Sequence, residues 1–212
     1  MRRTRKRPIK QKLKYAAVVE GQCEYWYIQM LKRNERIVSV DIMPEIPQKK
    51  KLIDQYEKVK ELARHYDLVF WIIDFDVILK EDKESKVSNS PLQNFRQYYE
   101  NLEKKYDNVK VIINNPCIEY WFLLHFVSTS RYFDCCSKSI KELEKYISKY
   151  KKTQGFFTKQ DNDIYLRLKP YLDTAIKNAK KVENFDSKNV FVGICQMNRF
   201  FESGELKKIT EK

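Results

Sequence analysis

Glycine and proline are scarce in this 212-residue chain, which has only four Gly and six Pro. So few of these residues leave no room for flexible linkers or low-complexity tracts, and no internal repeat is visible. No apolar run approaches the length of a membrane span, and the basic residues 1–14 (MRRTRKRPIKQKLK) lead into no signal-peptide core. With 42% hydrophobic residues the chain can bury a core, so we expect a globular, cytoplasmic protein without membrane association.

Histidine is scarcer still, since His65 and His125 are the only two. Their number excludes a histidine-rich metal centre and supplies little for histidine-dependent nucleophilic catalysis. The five cysteines include no CxxC pair, which suits neither a disulfide framework nor a zinc site, so we predict reduced and mostly buried thiols. Any bound metal must then be held mainly by oxygen atoms.

Phosphate-binding loops are also missing. The turn after the first predicted strand reads EGQCE rather than GxGxxG, and no GxxxxGK[ST] occurs in the chain. Dinucleotide binding of the usual kind and a P-loop are therefore excluded.

Positive charge is abundant and unevenly distributed along the chain. Of the formal net charge of +13, residues 1–14 contribute +8 and residues 138–181 contribute +7, so the remainder carries −2. A basic tail and a basic C-terminal region around a more acidic centre are typical of a protein that binds a polyanion such as DNA or RNA. The alternative is that the lysines only keep a helix-rich surface soluble.

Hydrophobic periodicity alternates between strand and helix over the first 130 residues. The predicted strands are 14–19, 37–43, 68–73 and 109–113, and helical spacing follows each of them. This alternation predicts an α/β fold with a mainly parallel four-stranded sheet, Rossmann-like, with helices on both faces. The C-terminal region is predicted to be mostly helical.

Two carboxylates end the third predicted strand, in the segment LVFWIIDFDVI. In the common doubly wound order 2-1-3-4, strands one and three are neighbours, so Glu20 should meet Asp74 and Asp76 at the carboxyl edge of the sheet. In extended chain Asp74 and Asp76 would project to one side and Phe75 into the core. Glu24 lies one helical turn after Glu20, and oxygen ligands of this kind suit Mg²⁺. The alternative is a helix cap or a solvated loop.

A second unusual segment is NNPCIEYWFLLHF, residues 114–126. Asn115 and Pro116 fit a helix start as N-cap and first helical residue. Glu119 is the one acid in an otherwise apolar helix, and it is either a capping-box partner or a further ligand or base beside the metal. His125 is expected to be a core residue.

The segments VVEGQCEYWYIQML, WIIDFD and NNPCIEYWFLLHF resemble the RloB-like family, which is related to the AbiL type of abortive-infection proteins and occurs near phage-defence genes. That family in turn resembles TOPRIM proteins, which carry a metal-binding Glu after strand one and a DxD after strand three. The resemblance implies a TOPRIM-like domain over residues 14–130, between a basic tail (1–13) and a helical C-terminal region packed on it (131–212). Val77 departs from the pattern, since relatives often have a polar or acidic residue there.

The implied function is a nuclease dependent on Mg²⁺ or Mn²⁺ that hydrolyses DNA or RNA in antiphage defence. Glu20, Glu24, Asp74 and Asp76 would hold metal, and Glu20, Asp74, Asp76 and Glu119 would be catalytic. The alternative is a non-catalytic or partner-activated nucleic-acid-binding subunit. Its partner would be a sensor ATPase or another defence-locus protein, and the chain itself could form a homo-oligomer. Topoisomerase chemistry would need domains for which this chain is too short.

Overall fold

A single five-stranded sheet organises the protein in the computed structural model, which describes residues 13–35, 40–46, 51–85 and 90–211. The strand order is β2-β1-β3-β4-β5; the first four strands are parallel and β5 is antiparallel to β4. The strands are β1 (Leu13–Val19), β2 (Val40–Glu45), β3 (Leu68–Asp74), β4 (Val109–Asn115) and β5 (Ile194–Cys195). The predicted α/β class and the order 2-1-3-4 are confirmed.

Helices follow the parallel strands and fill the C-terminal part of the chain. The α-helices are α1 (Gln22–Glu35), α2 (Leu52–Ala63), α3 (Phe75–Glu84), α4 (Pro91–Lys105), α5 (Ile118–Leu124), α6 (Cys136–Leu143), α7 (Gln154–Phe157), α8 (Ile164–Leu168), α9 (Leu172–Ala179) and α10 (Met197–Phe201). Short 3₁₀ segments lie at Lys169–Tyr171 and Gly204–Ile209. Ser90 begins α4 with a capping box to Gln93, followed by Pro91 at the first helical position.

The sheet is buried on both faces, which explains the continuous apolar runs of β1 and β3. Alternate residues of β3 enter different cores: Phe70 and Ile72 pack with α1, α5 and the C-terminal helices, whereas Trp71 and Ile73 pack with α2, α3 and α4. The C-terminal part therefore shares a core with the first two thirds of the chain, and β5 extends the same sheet.

The sheet register places the two predicted carboxylate positions side by side. Val19 of β1 pairs with Ile72 of β3, and Asp74 pairs with Asn114 of β4. Glu20 follows β1 directly, so it lies at the same carboxyl edge as Asp74.

Several local predictions were wrong. The sheet has five strands rather than four, because the two-residue β5 is too short to show a periodic pattern. Residues 80–84, predicted as loop, belong to α3, because Phe75, Ile78 and Leu79 supply a buried helical face. Strand two extends to Glu45 through Pro44, which a sheet edge tolerates. Residues 37–39 of the predicted strand lie outside the described part, as do residues 1–12 of the basic tail.

The predicted start of the fourth helix was also wrong. Asn115 ends β4 and Cys117 is the N-cap of α5, after a cis Asn115–Pro116 bond. The Asn115 side chain does not cap the helix; it donates to the carbonyl oxygens of Val190 and Val192 at 2.9 and 2.8 Å. The Asn115 side chain, which the local sequence pattern predicted to cap the helix, is instead hydrogen-bonded to a distant segment of the chain.

The cysteine prediction was wrong for one pair. Cys117 and Cys136 form a disulfide, whereas Cys23, Cys135 and Cys195 are free. The two bonded cysteines are 19 residues apart and meet because α5 and α6 begin side by side. The spacing of the cysteines in the sequence does not predict this contact. Searched over the described residues, no helix combines the length and the apolar character needed to cross a bilayer.

Candidate active site

Glu20 lies in the turn between β1 and α1, at the carboxyl edge of the sheet. Burial raises the pKa of Glu20 to about 8, and the nearby charges of Glu24 and Asp76 raise it further, while a hydrogen bond from the backbone amide of Asp74 lowers it. The carboxyl group is therefore in a poorly solvated place among other acids, as predicted from the order of the strands.

Glu24 and Asp74 lie against each other inside the protein. Glu24 is buried in the first turn of α1, and a hydrogen bond joins its side chain to that of Asp74. Burial raises the pKa of both carboxyls, and the charge of Glu119 acts in the same direction. Each carboxyl also makes ionisation of the other more costly, because two adjacent negative charges repel.

Gly21 permits this approach at the start of α1. A Cβ atom on Gly21 would lie 2.8 Å from Glu24 Oε2, closer than real Cβ contacts. That same oxygen is buried and has no hydrogen-bond partner among the described residues. With glycine at position 21, Glu24 Oε2 can lie close to the backbone of the turn, where no described group donates a hydrogen bond to it.

Asp76 lies in the first turn of α3 rather than in extended chain, so the predicted projection of Asp74 and Asp76 to one side of a strand is wrong. The helix begins directly after Asp74, because Phe75 packs into the core as predicted. Backbone amides orient both acids: Ile118 N–H donates to Asp74 Oδ1 and Cys136 N–H donates to Asp76 Oδ2, each at 2.9 Å. Burial raises the pKa of Asp76, and the amide of Cys136 opposes this shift.

Glu119 is fully buried in α5 and is not a capping-box partner, since the N-cap of α5 has no side-chain bond. Its Oε1 accepts from Tyr150 Oη at 2.7 Å and pairs with Lys152 Nζ at 2.9 Å. Its Oε2 lies 3.0 Å from Cys136 Sγ, which is in the disulfide. Its charge acts on the pKa values of Glu24, Asp74 and Asp76, so Glu119 lies beside these three acids.

Asn114 and Lys152 are residues at this place that the sequence analysis missed. Asn114 pairs with Asp74 in register, so both side chains leave the same face of the sheet. It is fully buried, and neither atom of its amide has a partner among the described residues. The polar doublet Asn114-Asn115 at the end of an apolar strand was the available signal, whereas Lys152 is distant in sequence and only folding brings it near.

The residues present fit a divalent cation by the chemistry of their atoms. Four carboxyls with raised pKa values lie at this edge of the sheet, and buried oxygen atoms of Glu24 and of Asn114, which is paired with Asp74 in register, lack protein donors. Carboxylate and amide oxygens are ligands that Mg²⁺ and Mn²⁺ accept. Such unpaired oxygen atoms in a buried place are what a cation would satisfy.

The tightest ligand group among the described residues is a different one. Cys117, Glu119 and Cys136 bring one atom each within 4.8 Å of one another. Because the two sulfur atoms are bonded to each other, they offer no thiolate in this state. Of the predicted set, Glu24 and Asp74 are in direct contact, and Glu20 and Asp76 lie near enough to act on each other's charge.

Comparison with known proteins gives one match. A protein-family model described as RloB-like protein matches residues 15–201. No curated protein and no solved structure matches the chain. The matched range includes all five predicted acids, Asn114 and Lys152.

Proposed function

The chain belongs to the RloB-like family, and from this membership and the acid cluster we propose that it is a divalent-metal-dependent nuclease. The reaction is hydrolysis of a phosphodiester in DNA or RNA, in a TOPRIM-like domain of AbiL type acting in antiphage defence. The observation that carries the proposal is that Glu20, Glu24 and Asp74 gather at one sheet edge with pKa values raised by burial and mutual repulsion. We place the protein in the cytoplasm.

Glu20, Glu24, Asp74 and Asp76 would hold Mg²⁺ or Mn²⁺, with the carbonyl oxygen of Asn114 as a further ligand. Such an ion supplies charge neutralisation at the phosphate and lowers the pKa of a water molecule. Backbone amides of Ile118 and Cys136 keep Asp74 and Asp76 oriented. Burial raises the pKa of Glu20 to about 8, and burial together with the neighbouring acids raises the pKa values of Glu24 and Asp74, which a bound cation would oppose.

Glu119 and Lys152 form the cluster's boundary with solvent. The Lys152 side chain is 43% exposed while that of Glu119 is buried, so the ion pair reaches from the acids toward the surface. Lys152 is placed to attract a phosphate, and Glu119 to orient Lys152 or to accept a proton. The hydroxyl of Tyr150 donates to the same carboxylate oxygen and holds the Glu119 side chain in place.

The test is cleavage of plasmid, single-stranded DNA and tRNA with Mn²⁺ or Mg²⁺ by the wild type, Glu20→Gln and Asp74→Asn, beside calorimetric Mn²⁺ titration. We expect both variants to lose metal binding and at least a hundredfold in rate. Glu100→Gln is the matched control, since Glu100 is exposed on α4 and pairs only with Lys104 in the described structure. Equal products from wild type and both variants would refute the proposed site.

A second candidate is a nucleic-acid-binding subunit that cleaves only when a partner such as a sensor ATPase activates it. The observation that favours it is the engagement of Glu119 by Tyr150, Lys152 and the disulfide sulfur. In that case the wild type binds metal and nucleic acid but releases no products alone. Asp74→Ala combined with Asp76→Ala would then abolish metal binding and leave nucleic-acid binding intact.

A further inference from the structure

A groove of about 250 Å³ opens beside Asp76, between α3 and the segment that precedes α6. It lies outside the buried acid cluster but shares Asp76 with it. Its lining includes Asp76, Leu79, Lys80, Lys83, Glu84 and Asp134. A molecule in this groove would therefore be in direct reach of one proposed metal ligand.

Lysines extend from Asp76 along one face of α3. Lys80 and Lys83 follow Asp76 at i+4 and i+7, a spacing that places all three on the same side of the helix. Neither lysine pairs with a carboxylate in the described part of the chain. The face thus offers two free ammonium groups one and two turns from the acids.

Two of the three acids on the groove wall, Asp134 and Glu84, do not neutralise these lysines. Asp134 is paired with Lys138 at 2.7 Å, so it does not compete for Lys80 or Lys83. Glu84 lies at the last position of α3, two turns beyond Asp76. A phosphate in this groove would therefore meet Lys80 and Lys83 as well as the carboxylate of Asp76.

An aromatic pair borders the same groove. Phe191 is 56% exposed, the largest exposed fraction among the large hydrophobic residues that the structure describes. Lys83 Nζ lies 5.8 Å from the centre of its ring, and the ring of Tyr132 meets it edge to face at 6.2 Å. Burial raises the pKa of Tyr132, and the charges of Asp134 and Asp76 raise it further, so the Tyr132 hydroxyl is near two residues of the lining. The two rings therefore lie beside the groove, next to its lining, rather than in it.

An exposed aromatic ring beside lysines and a carboxylate cluster is suited to a ligand that carries both a flat apolar group and negative charge. The exposed part of the Phe191 ring is apolar surface left in water, which a flat apolar partner would bury. Nucleobases present such a face only when they are unpaired, because both faces are covered by neighbouring bases in a duplex. Lysines beside an aromatic ring are the usual combination for binding a single strand.

We propose that this groove binds an unpaired nucleotide next to the phosphodiester presented to the acid cluster, with its base on Phe191 and Tyr132 and its phosphates on Lys80 and Lys83. The substrate class is then single-stranded DNA or RNA, or a single-stranded end or loop. This inference rests on the proposed nuclease function and names the substrate class of the same site.

The test measures binding rather than cleavage, so that the two proposals can fail separately. Fluorescence anisotropy would follow labelled single strands of DNA and RNA, and the matching duplexes, on Glu20→Gln protein with and without Phe191→Ala. We expect Phe191→Ala to weaken single-strand binding by about tenfold, the effect of losing one stacked base, and duplex binding by less than twofold. Phe191→Trp should restore the affinity.

Tyr171→Ala is the matched control, because Tyr171 is 46% exposed but packs on Phe126 in another part of the surface. Lys80→Gln with Lys83→Gln should weaken binding and lower the slope of log affinity against log salt by about 0.7 for each phosphate that is no longer neutralised. Equal effects of Phe191→Ala and Tyr171→Ala, equal losses on single strand and duplex, or no binding of single strands at all would each overturn the inference. Absence of cleavage with selective single-strand binding would refute the nuclease proposal alone.

Discussion

Glu119 shows how a single ionisable residue is kept in the interior of this protein. Its carboxylate is fully buried but receives the Tyr150 hydroxyl and the Lys152 ammonium group on one oxygen. A buried charge is tolerated only when such partners replace water. The same residues therefore serve stability and the electrostatics of the neighbouring acids.

Tyr150→Phe should lower the free energy of unfolding by about 2 kcal/mol, because it removes a buried hydrogen bond to a charged group without leaving a large cavity. Urea unfolding followed by circular dichroism would measure this change. Tyr146→Phe is the control, since Tyr146 is 44% exposed and stacks on Phe126 through its ring. If the two variants were equally stable, the bond to Glu119 would not contribute as described.

His125 gives a pH dependence that can be stated with its sign. Burial lowers the pKa of His125 from 6.5 to about 3, although the carbonyl oxygens of Trp121 and Phe122 oppose the shift. Below pH 6.5 His125 therefore binds a proton in the unfolded chain but not in the folded protein. The free energy of unfolding consequently falls as the pH falls toward 3. The loss should be about 1 kcal/mol between pH 7.5 and 5.5.

His125→Leu should reduce this acid-dependent loss, because the variant has no imidazole to protonate in the unfolded state. His65→Gln is the control, because it changes the other histidine of the chain, which is exposed. This variant should lose stability with falling pH as the wild type does. Urea midpoints across this pH range provide the measurement. Identical slopes for wild type and His125→Leu would contradict the buried neutral state.

At the scale of elements, the site depends on where α3, α5 and α6 begin. The first amide of α5, from Ile118, binds Asp74, and the first amide of α6, from Cys136, binds Asp76. The bond between Cys117 and Cys136 joins the starts of these two helices. One covalent link therefore ties together the two backbone donors that orient the acids.

Reduction of this disulfide should lower the free energy of unfolding by about 3 kcal/mol, because a link across 19 residues restricts the unfolded chain. Urea midpoints with and without dithiothreitol would show the change. Cys117→Ser combined with Cys136→Ser should unfold at the same midpoint with or without the reductant. A wild-type midpoint that does not respond to reductant would contradict a stabilising link.

At the scale of the whole molecule, the net charge of +13 predicts binding to nucleic acid that weakens steeply with salt. Removing residues 1–12, which carry seven Lys or Arg, should weaken binding and reduce the salt slope by about 0.7 for each single-strand phosphate that the tail neutralises. A chain with those seven residues changed to Gln is the control for charge alone. An unchanged salt slope in both proteins would show that the tail binds no phosphates.

The class of fold and the sheet edge where the acids lie could be predicted from the sequence, because buried parallel strands leave long apolar runs and end at one edge. The convergence of Glu20 with Asp74 followed from the predicted strand order, and Phe75 was correctly predicted to be buried. Their role in metal binding and catalysis stays a prediction. These predictions depended on the hydrophobic pattern of each segment and on the order of the strands, and both can be inferred from the sequence.

Only the tertiary structure decided the surroundings of the acids. Asp76 is in a helix rather than in extended chain because the residues after it form a buried helical face. Residues far apart in the chain meet in the ion pair of Lys152 with Glu119, in the disulfide of Cys117 and Cys136, and in the contact of Lys83 with the ring of Phe191. The sequence by itself determined which residues carry charge and which are apolar, whereas packing determined which of them meet, because contacts between distant segments leave no periodic signal.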